Sequence, residues 1–207
     1  NPRAQRAIAL AMFAALMFAA AAARSNFQAA ASLDGRRMDV FFAAFAIFIA
    51  TTAAAAMKDS PASVGLSLRG IESVLVFAAP AAALALLLSA ELNVRLFAAA
   101  AEPSVILTAF ALEIFFRGYF QTRMEAARGP AAGLLIASFA YAAFHLPGAL
   151  GMFEPPALVA YLVFTFLFWG CGAGVLFRRS RYNVFGVALF HAFWDVSVRA
   201  FGGFSVP

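Results

Sequence analysis

The sequence predicts an all-α, polytopic transmembrane helix bundle of about seven spans. Three observations carry that expectation. Of the 207 residues, 64% are hydrophobic and only 12% are charged, with a mean hydropathy of +0.87; a soluble domain is about 25% charged. The apolar residues come in long runs, most of them near the ~20 residues needed to cross about 30 Å of hydrocarbon. The runs are continuous rather than alternating, so helices, not barrel strands, are expected to satisfy the backbone inside the lipid.

The segments run Ala7–Ala23, Val40–Met57, Val74–Ala90, Pro103–Phe120, Ala131–Leu146, Ala157–Phe177 and Val184–Phe201. The first is mostly alanine, only weakly apolar, and suits an interfacial helix as well as a span. Pro80 in the third is expected to kink it. Turn signals stand between segments at Asp59-Ser60-Pro61, Gly129-Pro130, Pro147-Gly148 and Pro155-Pro156. No internal repeat or low-complexity linker interrupts the series, so residues 1–207 read as a single transmembrane domain. Its helices over 1–102 carry no motif, and the polar residues that could do chemistry lie in 103–201.

The net charge of +5 and pI near 10.1 could suggest a nucleic-acid partner, but the basic residues sit in short loops between apolar runs, where a positive-inside bias puts them. The expected partner is the lipid bilayer, and nucleic acid is excluded. Arg3, Arg6, Lys58, Arg69, Arg123, Arg128, Arg178, Arg179 and Arg181 fall on one side, against Arg24, Arg36, Arg37, Arg95 and Arg199 on the other. The richer side is expected to be cytoplasmic, with the N-terminus inside. The lone Cys171 cannot form an internal disulfide.

Inside these runs lie a few ionisable groups: Glu113, Arg117, His145, His191 and Asp195. A charge in hydrocarbon costs roughly 2.5–3.5 kcal/mol even on the gentler scales, so groups kept there are expected to be used, for chemistry or to hold helices together. Glu113 and Arg117 are four apart on one helix face, as are His191 and Asp195, and Tyr141 and His145. The first pair can neutralise itself, and an aspartate can orient an imidazole. At 1.5 Å per residue, Glu113 lies ~12 Å from the expected Arg123–Arg128 loop, His191 ~10 Å and Asp195 ~16 Å from the Arg178–Arg181 loop, and His145 ~20 Å from that side. All can meet near the middle of the membrane. Blander readings stand beside this one. The Glu113–Arg117 pair could serve packing alone, and the His191–Asp195 pair could be a structural hydrogen bond between helices. Zinc could bind two histidines and two acids, but the histidines lack HExxH spacing; a haem-like pigment is disfavoured by the acid partners. No cofactor is therefore expected. The Gly170–Gly174 spacing suits close helix packing, and Trp194 could line a pocket or simply pack.

These residues also carry a resemblance. LEIFFRG resembles the first motif of the CAAX-protease and bacteriocin-processing (CPBP, or Abi) family: two glutamates, three residues, an arginine, then usually glycine. YAAFHLPG is similar to the second, an aromatic residue followed four positions later by histidine. HAFWD is similar to the last, histidine followed four positions later by asparagine or aspartate. The motifs stand in family order, 28 residues from Arg117 to His145 and 46 from there to His191, and the match covers Pro103 to Phe201. The resemblance implies a four-helix core in the C-terminal half and an intramembrane endopeptidase of a bacterial inner membrane. The first glutamate and second-motif histidine would activate water, and the last motif would stabilise the oxyanion. Carried over, His145 orients the water, His191 and Asp195 form the oxyanion side, and Glu113 with Arg117 is the supporting pair.

One position departs from the pattern. Leu112 stands where the family has its first glutamate, and leucine can neither take a proton nor polarise water. Glu113 is one step round the helix, ~100° away, and is expected to serve as base only if the helix turns or Arg117 releases it. The expectation is a pseudoprotease that binds a membrane peptide, a lipid or a larger membrane complex. The alternative is an active endopeptidase cutting membrane-associated peptides near the cytoplasmic face.

Overall fold

The computed structural model describes residues 103–150 and 152–202, the segment 60–66, and separate helical residues within 7–15 and 44–55. Among the described residues all regular structure is helical. Four helices carry it: α1 (Pro103–Arg128), α2 (Pro130–Ala149), α3 (Pro155–Arg179) and α4 (Val184–Gly202). The first three are long and apolar enough to cross a membrane. The four helices take the places of the fourth to seventh expected segments. The third expected segment, with Pro80, lies outside the described residues, and the first two fall only partly within them, helical where described.

Local chemistry sets the helix ends. Gly129 adopts φ +83°, a left-handed conformation suited to glycine at a helix stop, and Pro130 then occupies the first turn of α2, where its missing N–H is no loss. Pro155 opens α3 in the same way. Asn183 caps α4, its Oδ1 accepting from the Phe185 N–H at 2.8 Å. The preceding turn is tight: Arg181 and Tyr182 both have positive φ, 56° and 60°, an arrangement L-residues hold only when the surroundings impose it. Two expected turns differ from this. Residues Arg123–Arg128 are the last turns of α1, not a loop, and Arg123 is buried. Pro147-Gly148 lies inside α2, which continues to Ala149; a proline so near a C-terminus interrupts little of the hydrogen-bond ladder.

Two stretches are wider than α-helix. Ile114–Gln121 in α1 and Thr165–Gly172 in α3 are π-helical, a form rare in proteins and frequent at functional sites. α1 is the central helix. α4 packs along its first half, α2 packs against the π-helical part of α3, and the last turns of α1 meet α2. Glycines permit the approach. A side chain at Gly118 would strike the backbone of Val64, one at Gly170 would meet Ser138, and one at Gly174 would meet Leu134 and Gln121. The Gly170–Gly174 spacing thus serves packing within the bundle. Phe13 edges onto Phe116 and Phe120 of the same core.

At the end of α1 a second polar cluster, absent from the sequence reading, ties three helices. Glu125 Oε1 accepts from Gln121 Nε2 at 2.6 Å and Arg178 Nε at 2.7 Å, and Oε2 accepts from the Tyr182 hydroxyl at 3.1 Å. Arg178 also donates to the Pro130 carbonyl. Glu125→Ala should therefore lower stability by roughly 1.5–3 kcal/mol, the scale of a hydrogen bond to a charged group. The exposed Arg179→Ala should change it little; thermal unfolding of both variants in one detergent checks the difference.

Candidate functional site

The site forms where α1, α2 and α4 meet, with α3 closing one side. Glu113 and Arg117 lie on α1 and are both fully buried. Glu113 is the last α-helical residue before the π-helical stretch that contains Arg117. Its Oε2 stands 3.2 Å from Arg117 Nε, while its Oε1 accepts from His191 Nδ1 at 2.9 Å. One carboxylate thus meets both partners at once.

Arg117 draws on three helices. Besides Glu113, it donates to the Trp169 carbonyl of α3, and its guanidinium lies over the Tyr141 ring of α2, 4.7 Å from the centroid, within cation–π range. The π-helical turn frees that carbonyl. The Ala173 N–H goes to the carbonyls of Gly170 and Phe168, passing over Trp169.

His191 is buried on α4. With Nδ1 turned to Glu113, its Nε2 faces the Tyr141 hydroxyl at 3.4 Å and Asp195 Oδ2 at 3.5 Å. Asp195 was expected to be the group that orients this imidazole. The shorter contact comes instead from Glu113, 78 residues away in the chain. The indole of Trp169 lies tilted against the His191 ring, with centroids 4.5 Å apart, fixing the ring plane. Asp195 is an open member of the group, with 32% of its side chain exposed.

His145 joins through Tyr141. Its Nδ1 contacts the Tyr141 carbonyl at 2.9 Å, the two rings are 4.6 Å apart, and the Tyr141 ring is 6.3 Å from that of His191. The two imidazoles therefore sit on one side of the bundle, bridged by a single tyrosine. With Nδ1 donating to its own helix, Nε2 of His145 is the nitrogen left to accept. Leu112 is buried in the apolar core that also holds Phe116 and Tyr141.

The structure thus brings together all five sequence-derived positions and adds Tyr141 and Trp169. Tyr141 had a signal in its four-residue spacing to His145. The Trp169 contribution had none, because it is made through a backbone carbonyl. Among the described residues, no three of His, Cys, Asp and Glu are arranged to hold a metal ion; both His191 nitrogens face protein partners instead. Chemically, the arrangement can orient an imidazole from one carboxylate and leave its far nitrogen beside a hydroxyl and a second carboxylate.

A family model described as type II CAAX prenyl endopeptidase Rce1-like matches residues 92–197. No curated protein and no solved structure matches the chain. Arg117→Ala should lower stability by about 3–5 kcal/mol, because it strands the buried Glu113 carboxylate. It should cost more than Arg123→Ala, and the pair Glu113→Gln with Arg117→Met should recover most of the loss. Equal melting temperatures for Arg117→Ala and Arg123→Ala would count against the buried pair. Tyr141→Phe removes only the hydroxyl beside His191 and should shift stability by about 0.5–1.5 kcal/mol, read in the same melts.

Proposed function

The chain belongs to the Rce1-like family of type II CAAX prenyl endopeptidases, and on that premise we propose that it is a non-catalytic member, a pseudoprotease that binds a membrane peptide, a lipid or a larger membrane complex. As a CAAX/CPBP-type protease-like membrane protein it keeps the family's helical scaffold. One observation carries the reading: among the described residues of the site, no carboxylate is placed to activate water. Leu112 occupies the first-glutamate position, and the neighbouring Glu113 is fully buried with one oxygen on His191 and the other beside Arg117. A general base needs an oxygen within hydrogen-bond reach of the water it deprotonates. Asp195 is open, but the resemblance assigns it, with His191, to the oxyanion side rather than to the base.

His145, His191 and Tyr141 line one side of the bundle. The proposal includes a bacterial inner membrane, as the resemblance implies, with the Arg178–Arg181 turn at the cytoplasmic face on the positive-inside argument. The second reading, an active endopeptidase cutting near that face, is favoured by the retained His145, His191 and Asp195.

Purified protein assayed against a panel of membrane peptides separates the two. The unmodified chain should leave the panel intact, and Leu112→Glu should produce cleavage that survives a metal chelator. Cleavage by the unmodified protein that disappears in Glu113→Gln would reject the pseudoprotease reading, whether or not Leu112→Glu folds.

A further inference from the structure

The apolar spans of α1 and α3 both end in arginine, at Arg128 and Arg179, and the fold brings those two ends together. Arg178 Nε donates to Glu125 of α1 at 2.7 Å, and the same side chain donates to the Pro130 carbonyl, two residues past Arg128. Arg181 follows in the turn to α4. Glu125 is thereby engaged by Arg178. Arg128, Arg179 and Arg181 are exposed, and among the described residues no carboxylate meets them. Four arginines against one glutamate leave this face positive, at the end of the spans where lipid headgroups lie.

The turn beside them is held from several sides. Arg181 and Tyr182 have positive φ, which persists only where the surroundings impose it. Here the Tyr182 N–H donates to the Phe177 carbonyl at 2.9 Å and the Val184 N–H to the Gly65 carbonyl at 3.1 Å. The Tyr182 hydroxyl donates to Glu125 Oε2, and its ring edges onto Phe177. A turn fixed in this way has little ordering left to lose when its arginines bind something. An apolar strip leads into it. Gly172, Val175 and Arg179 recur at intervals of three and four residues along α3, hence on one face, and all three are exposed. A Cβ added at Gly172 would meet only the Leu167 carbonyl, at 3.6 Å, so the strip is notched there.

From this juxtaposition we infer that the face shared by the ends of α1 and α3 binds an anionic phospholipid, its phosphate on Arg128, Arg179 and Arg181 and one acyl chain along Val175 and Gly172. A guanidinium pairs with phosphate through two parallel N–H···O bonds, and basic pockets between membrane helices take anionic headgroups. Charge and shape together select the occupant. A soluble anion matches the arginines and leaves the strip uncovered. A zwitterionic lipid covers the strip but brings its own cation to the arginines. The inference goes beyond the proposed function. It concerns the Glu125 end of the bundle, away from the Glu113–His191 cluster, and holds whether or not that cluster cleaves peptides.

The test uses the full chain in an uncharged detergent, titrated with phosphatidylglycerol or phosphatidylcholine, with bound lipid counted by native mass spectrometry. Phosphatidylglycerol should bind roughly tenfold more tightly than phosphatidylcholine. Arg128→Gln, Arg179→Gln and Arg181→Gln together should level the two lipids. Arg24→Gln, Arg36→Gln and Arg37→Gln together remove the same charge from the opposite side of the positive-inside count and should keep the preference. Equal binding of the two lipids by the unmodified protein overturns the inference, even if the first triple variant does not fold. So does a preference that survives in that variant, or one lost equally in both triple variants, which makes the effect one of net charge. Soluble glycerol phosphate that displaces phosphatidylglycerol as well as the lipid itself does overturns the inference in favour of a simple anion site. Stronger displacement by a leucine–alanine helix ending in glutamate overturns it in favour of a protein partner.

Discussion

A guanidinium buried among apolar helices must be neutralised and hydrogen-bonded, or the bundle does not hold together. Arg117 meets that requirement with groups from three helices: the Glu113 carboxylate on its own, the Trp169 carbonyl on α3 and the Tyr141 ring on α2. Its demands fix how these helices approach one another. Because Glu113 also accepts from His191, α4 is drawn into the same arrangement. The polar centre therefore acts first as the register of the fold, and any chemistry it performs is built on that register.

The two π-helical stretches follow from this. A carbonyl within a regular α-helix is spoken for by the N–H four residues on. The wider turn in α3 leaves the Trp169 carbonyl to Arg117, and the π-helical stretch in α1 holds Arg117 itself. The backbones can come this close because Gly118, Gly170 and Gly174 put no side chain in the way. A second anchor around Glu125 closes the far end of α1 against α2 and α3, so the central helix is pinned by charge at two levels.

That economy bears on function. A carboxylate that holds an arginine and a histidine together is poorly placed to hold a water as well. With leucine beside it, the buried Glu113 is held between Arg117 and His191. Asp195, about a third of its side chain open, lies at the rim rather than the heart of the cluster.

Much of this was legible in the chain. Long apolar runs and proline–glycine punctuation located α2 to α4 and the start of α1 to within three residues, because turn chemistry is local, whereas α1 runs on to Arg128 past the end of its apolar run. The positions that meet were legible too: so few ionisable residues occur in the apolar runs that Glu113, Arg117, His145, His191 and Asp195 stood out by cost alone. Their pairing was only half visible. Spacing of four residues identifies partners on one helix, as with Glu113 and Arg117, but carries nothing about helices far apart in sequence. That Glu113 rather than Asp195 makes the closer contact with His191, and that a tryptophan carbonyl completes the arginine, only the tertiary structure decided. The angular register between helices depends on where the backbone widens and how closely glycines let it approach, and backbone carbonyls, alike at every residue, leave no mark in the sequence.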